Sequence, residues 1–218
     1  MGHAHIFVTG GTGYLGRPLI ARLLERGHVV RALVRPGSEG KVPPGVQAVV
    51  GDALDRSTWS KTVAPADTLV HLVGTPHPSP WKGAEFQRVD LRSIRASVDA
   101  ARAGGIRHLV YVSVAHPAPV MRDYIAARTA GEAAVRASGI PATILRPWYV
   151  LGPGHRWPYL LLPAYWLLAR LPSTAEAAQR LGLISQDEMV GALVHAVEHP
   201  AADVRIVGVP EIRRSAAA

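Results

Sequence analysis

Thr9-Gly10-Gly11-Thr12-Gly13-Tyr14-Leu15-Gly16 stands directly after the apolar run His5 to Thr9 and leads into the amphipathic stretch Tyr14 to Arg26. Glycines at 10, 13 and 16 permit a tight turn, close approach of a pyrophosphate, and close packing of a helix on a strand. The helix that follows would offer unpaired N–H groups and the positive end of its dipole to phosphate oxygens. A glycine triplet alone fits any sharp strand-to-helix turn. Here a strand precedes it and a strand–helix–strand unit surrounds it, which is the context of a phosphate loop.

The same alternation continues along the chain. His28 to Val34, Val46 to Val50, Thr68 to Val73, Arg107 to Val114 and Ala142 to Arg146 are short runs of strand character. Between them, Asp55 to Val63, Glu85 to Ala103 and Met121 to Ala137 read as helices, with Gly104-Gly105 and Ser138-Gly139 as stops. Strands separated by helices predict an α/β fold, a Rossmann-type doubly wound parallel sheet with helices on both faces. After residue 147 the texture changes. Trp148 to Trp166 holds six of the eleven Trp and Tyr residues, interleaved with Pro153, Pro158 and Pro163. Asp187 to His199 then reads as a helix and Val204 to Val209 as a final strand. The expected organisation is one nucleotide-binding domain over 1–218, with 147–200 contributing a small substrate-binding or lid region.

Composition narrows the chemistry. Among 218 residues there is no Cys, which excludes disulfides, thiolate metal sites and thiol nucleophiles. No apolar run reaches the roughly 18 residues of a spanning helix, and Met1 to Thr9 lacks the order of a secretory leader. The expected location is the cytoplasm. The formal charge of +8 comes from 21 Arg and 3 Lys against 16 acids. These arginines are scattered from Arg17 to Arg214, so they read as a solvated surface and not as a nucleic-acid face. Anionic small ligands would still feel the field. His195 and His199 have the i, i+4 spacing of metal ligands, but no HExxH pattern or acid-rich partner accompanies them, so no metal is expected. His3 and His5 read as edge positions, and His71 as a half-buried strand residue.

The GxxGxxG spacing in TGGTGYLG resembles the short-chain dehydrogenase/reductase superfamily, particularly its extended and atypical members. The resemblance runs on through Val30 to Arg35, Gly51-Asp52, Leu69 to Thr75, Val110 to Ser113, and Leu145-Arg146-Pro147 with Gly152-Pro153-Gly154. It implies cofactor contacts at Gly10, Thr12, Gly13, Tyr14, Leu15 and Gly16 in the loop. Further along it implies Asp52 and Ala53 near adenine, Val73 and Gly74 beside the cofactor, and Pro147 near the nicotinamide. An acid at the end of the second strand would hold the ribose hydroxyls of NAD. None stands between His28 and Ser38, whereas Arg35 is placed to pair with a 2′-phosphate. NADP(H) is therefore the expected cofactor, with NAD(H) as the alternative.

For catalysis the resemblance implies a tyrosine that exchanges the proton, a lysine four residues later on the same helical face, and a serine that orients the substrate oxygen. Tyr124, Arg128 and Ser113 occupy those positions, so Arg stands where Lys is expected. A free tyrosine, with a pKa of about 10, is only about 0.1% ionised at pH 7, and bringing it near neutrality takes roughly 4 kcal/mol. An arginine's planar fork is not equivalent to a lysine's point charge in this task. Two readings stay open: an NADPH-dependent oxidoreductase or epimerase-like enzyme, or a non-catalytic NAD(P)H-binding redox sensor or assembly factor. The aromatic segment 148–171 suits a hydrophobic small-molecule substrate, a cover for the sheet's end, or a peripheral contact with a membrane or partner. Monomer and homodimer fit equally.

Overall fold

The computed structural model describes residues 3–153 and 179–215. The run that precedes the glycines forms β1 (His5–Thr9), buried at every position after its first. Around it lie β2 (Val29–Val34), β3 (Gln47–Val50), β4 (Thr68–His71), β5 (His108–Val112), β6 (Ala142–Arg146) and, from late in the chain, β9 (Val204–Gly208). All pair in parallel in the order β3-β2-β1-β4-β5-β6-β9. The order reverses between β1 and β4, and such a switch point opens a crevice at the strands' C-terminal ends.

The connecting helices are α1 (Gly16–Glu25), α2 (Gly83–Glu85) running through a π-helical turn Phe86–Leu91 into α3 (Arg92–Ala103), α4 (Arg122–Ala137), α5 (Gln186–Glu198) and α6 (Val209–Ser215). Because strand residues alternate in direction, the sheet feeds two separate cores. Ile6, Val8 and Val110 meet Leu19 and Leu23 of α1 and Leu193 of α5 on one face. Phe7, Leu69 and Ile144 meet Ile94 of α3 and Val135 of α4 on the other. The sheet is thus doubly wound, as its alternation of elements predicts.

Four local readings change. The fourth strand ends at His71 and not at Val73, because the chain there turns against Gly10. A Cβ on Gly10 would lie 2.9 Å from the Leu72 carbonyl carbon. The helix expected over Asp55 to Val63 is two 3-10 turns, Arg56–Thr58 and Ser60–Thr62. Trp59 breaks it by burying its ring (1% exposed) against Phe7, at 5.5 Å between centroids, and donating Nε1–H to the Asp52 carbonyl at 2.9 Å. His71 is fully buried, with Nδ1 2.9 Å from both Thr9 Oγ1 and Ser97 Oγ. That burial, reinforced by the Arg128 charge, pushes its pKa down to about 3.

The fourth change is an addition. A two-stranded parallel sheet joins β7 (Tyr149–Leu151) to β8 (Leu183–Ser185). β8 delivers the chain into α5 through a capping box, in which the Ser185 side chain accepts from the Glu188 N–H and the Glu188 carboxylate accepts from the Ser185 N–H. Gly154, Trp157, Pro158, Tyr159, Pro163, Tyr165 and Trp166 lie outside the described residues. Among the described residues, no helix is long and apolar enough to cross a membrane.

Candidate functional site

The glycine loop folds flush against its own helix. Gly10 adopts φ +78°, Gly13 N–H donates to the Gly10 carbonyl at 3.0 Å, and a Cβ on Gly16 would fall 2.2 Å from that same carbonyl oxygen. α1 then begins with no side-chain cap at Leu15 and no acid in its first turn. The Arg17 N–H already donates to the Gly13 carbonyl at 3.2 Å and Pro18 has no N–H, so what the helix offers an anion is chiefly the positive end of its dipole. Leu15 packs onto the core beneath the helix. Tyr14 faces the other way. A Cβ on Gly152 would lie 2.2 Å from its hydroxyl, and its carbonyl accepts from Gln186 Nε2 at 2.8 Å. The loop is thereby tied to the late part of the chain.

At the strands' C-terminal ends a groove of about 550 Å³ brings together Gly10, Thr12 and Gly13 with Arg35, Asp52 and Ala53, and with Val73 and Gly74. Arg35 is exposed, and its side chain has no ion pair or hydrogen bond among the described residues. Arg31 is engaged elsewhere, donating to the Ala64 carbonyl at 2.6 Å. Asp52 shapes the groove by accepting the Leu54 N–H at 2.9 Å. The cradle suits a dinucleotide: Cβ-free turns where phosphates would pass, an uncapped helix, and an unpaired cation at the rim.

Some lining residues were not anticipated. Glu85 and Val89 close the groove from the start of the second helical stretch, and only the three-dimensional turn at Gly74 brings them there. Arg17 borders a neighbouring depression of about 460 Å³ with Thr12, Gly13 and Tyr14. It is an exposed cation in the first turn of α1. Its place just after the glycines is a signal the sequence carries.

Tyr124 sits on α4, half-buried, with its ring centroid 5.0 Å from that of Phe86. The Arg128 guanidinium lies 5.2 Å from the Tyr124 ring centre and 5.9 Å from that of buried Tyr111. Arg128 is only 5% exposed. Its Nη2 pairs with Oδ1 of fully buried Asp90 at 2.7 Å, and its Nη1 donates to the Val112 carbonyl at 2.8 Å. Asp90 in turn accepts the Thr75 N–H and hydroxyl through Oδ2, at 3.1 and 2.5 Å. Gly74 completes the nest, since a Cβ there would fall 2.2 Å from Arg128 Nη2. Burial opposes the charge on Arg128, but its interactions with Tyr124, Tyr111 and Asp90 outweigh that and raise its pKa. Arg128 therefore lies behind the Gly74–Thr75 turn, and Gly74 forms the groove's wall.

Ser113 is buried, and its hydroxyl donates to Glu132 Oε1 at 2.6 Å. Glu132 is also gripped by both ends of the Arg146 fork, with Arg146 Nε 2.9 Å away, and faces His116 Nε2 at 3.6 Å. Burial would raise the Glu132 pKa, but hydrogen bonds from Arg146 and Ser113, with the charges of Arg146 and His116, hold it below the ordinary carboxylate range. Pro147 is buried next to this cluster in the chain, its carbonyl accepting the Ala115 N–H at 2.8 Å. Beside Tyr124, a depression of about 430 Å³ is lined by Pro80, Phe86, Pro119, Val120 and Met121, with the charged Arg122 and Asp123. His195 and His199 stack on each other with centroids 4.1 Å apart. Among the described residues, no group of three or more His, Asp or Glu could hold a metal ion.

Comparison with known proteins agrees with this geometry. Residues 10–156, about two thirds of the chain, match a family described as NAD(P)H-binding. The chain is 32% identical over 216 residues to a ceramide reductase of Caulobacter vibrioides, covering 96% of this chain and 65% of that one. It is 33% identical over 223 residues to a 3-diazoavenalumate denitrifying reductase of a Streptomyces species, covering 90% and 73%. A crystal structure of a short-chain dehydrogenase/reductase superfamily protein from Agrobacterium tumefaciens, with bound NAD, superposes with a TM-score of 0.69. It is 21% identical, and the match covers 94% of this chain and 77% of that one. The chain thus spans just under two thirds of the length of the first relative.

Proposed function

The chain belongs to the NAD(P)H-binding family whose model it matches, and we propose that it is an NADPH-dependent reductase of an apolar small molecule, of the short-chain dehydrogenase/reductase type whose fold it shares. The observation that carries the proposal is the groove, in which the glycine loop, the free Arg35 and the Val73–Gly74 turn converge. Thr12, Gly13 and the start of α1 would hold the pyrophosphate, Arg35 the 2′-phosphate, and Asp52 with Ala53 the adenine end. Pro147 borders the nicotinamide end. When bound, the reduced nicotinamide would supply a hydride, the electron pair with its hydrogen, to the substrate carbon. Tyr124 then gives its hydroxyl proton to the substrate atom that gains charge. The depression beside Tyr124, whose prolines, Phe86, Val120 and Met121 stand with Arg122 and Asp123, suits a largely apolar substrate that carries a polar group, and residues 147–200 serve as the substrate-binding part. The relatives named above are called reductases, which favours the reducing direction.

Binding titrations separate the cofactor assignment from the chemistry. Arg35→Ala is expected to weaken NADPH about tenfold or more, the effect of losing a charge-assisted hydrogen bond of about 1.5–3 kcal/mol, and to leave NADH unchanged. Equal losses for both would remove Arg35 from the 2′-phosphate. Tyr124→Phe is expected to abolish NADPH consumption on a panel of apolar ketones while NADPH still binds. If turnover is unchanged, Tyr124 is not the acid; if the parent itself turns over nothing while NADPH binds, the second reading stands: a nucleotide-binding redox sensor or assembly factor. One observation favours that reading, since the Ser113 proton is already engaged by Glu132.

A further inference from the structure

Position 128 carries a cation on the helical face of Tyr124, and in this chain that cation is answered by an acid. Asp90 is fully buried where the π-helical turn meets α3, and it holds Arg128 Nη2 at 2.7 Å. The second nitrogen of the fork is engaged by the Val112 carbonyl. Opposite charges this close act on Tyr124, 5.2 Å from the guanidinium, as a short dipole and not as a unit charge. Coulomb's law gives the two cases different weights: a bare cation this close to the ring stabilises negative charge on the phenol, and an acid paired with it opposes that effect.

We propose that Asp90 and Arg128 work as one electrically neutral positioning unit, which fixes the Tyr124 ring and the Gly74–Thr75 turn and presents the phenol with a paired cation in place of a bare one. The proposal rests on reading Tyr124 as the acid. In the step it supports, the phenol O–H bond breaks and its proton passes to the substrate oxygen, whose carbon receives a hydrogen together with its electron pair, a hydride, from the reduced nicotinamide. The phenolate left behind regains a proton from water. Asp90 opposes the net positive charge that a bare cation at position 128 would carry. Arg128→Lys alone therefore restores nothing, because Asp90 would neutralise a lysine equally well.

The test reads the phenol directly in the cofactor-free, full-length protein, so it does not depend on finding a substrate. Tyrosine is labelled with ¹³C at Cζ, the Tyr124 resonance is identified by its loss in Tyr124→Phe, and its ionisation is followed from pH 6 to 11. Asp90→Asn, which leaves the cation uncompensated, is expected to lower the midpoint by about one pH unit or more relative to the parent. Arg128→Lys is expected to leave it in place. Removing one partner of a buried pair leaves an uncompensated charge in the interior, so Asp90→Asn risks unfolding. The double variant Asp90→Asn with Arg128→Met carries no buried charge and replaces one neutral unit by another. It is expected to keep the parent midpoint. A rise of a full unit in the double variant would show that Arg128 acts as a net cation in the parent, and the proposal would fail. An unmoved midpoint in a folded Asp90→Asn protein would overturn it as well.

Discussion

Glu132 shows how much one buried side chain can organise. It joins α4 to the ends of β5 and β6 by accepting from Ser113 and from both ends of the Arg146 fork. Glu132→Gln removes the charge but keeps the shape, leaving Arg146 facing a neutral amide. Urea denaturation should show a loss of about 3 kcal/mol, the lower range for breaking a buried pair. A loss below about 0.5 kcal/mol would mean that solvent screens the cluster. The pH dependence has a definite sign. Because the folded carboxyl titrates below its unfolded value, its contribution is complete above about pH 4.3. That contribution disappears as pH falls through the lower, folded value. Ser113, Tyr124 and Arg128 were all legible in the sequence through a resemblance. Their partners Glu132 and Asp90 were not, because no spacing rule links an acid on one element to a base on another.

At the level of elements, the glycine loop provides a matched pair of substitutions. Gly16→Ala places a methyl group 2.2 Å from a backbone oxygen that cannot yield without moving the loop. Overpacking of this kind costs about 1–3 kcal/mol, and NADPH affinity should fall with it. Gly37→Ala meets nothing within 4 Å, although its φ of +76° disfavours a side chain. It should cost about 1 kcal/mol of backbone strain and leave NADPH binding intact. Thermal melts and binding titrations on both variants check the pair, and equal binding losses would contradict the packing argument. The strands were legible because alternation with helices and β-branched runs mark them directly. β1 and β6 begin and end where their sequences predict. The misread elements were those where tertiary contacts override local pattern. Trp59 leaves a helical register to stack on Phe7, and β4 stops short because Gly10 presses on Leu72. The short β7–β8 pair offers too few residues for periodicity to register.

For the whole molecule, two buried histidines set the response to acid. Burial lowers the pKa of His71 to about 3 and that of His108 to about 4, from an ordinary 6.5. Below about pH 6.5 the unfolded chain takes up protons that the folded chain refuses, so stability falls as pH drops towards 4. Each group contributes at most about 1.4 kcal/mol per pH unit to that slope. Urea midpoints measured between pH 7 and 4 should decline, and His71→Asn should flatten the decline even if it lowers stability overall. An unchanged slope would show that His71 takes up its proton in the folded state as readily as in the unfolded one. The arginine excess also takes on structure at this scale. Among the described residues, Arg35 and Arg17 stand unpaired around the nucleotide loop, while Arg128 and Arg146 are bound to buried acids. The composition alone could not separate these two kinds of arginine.

The crystal structure of the complex with NADPH bears most directly on all of this. The pyrophosphate should lie over Thr12 and Gly13 at the start of α1, the 2′-phosphate should meet Arg35, and the nicotinamide should face the Tyr124 hydroxyl. A nucleotide bound outside the groove, or one whose 2′-phosphate lies away from Arg35 and whose nicotinamide lies away from Tyr124, would contradict the assignment.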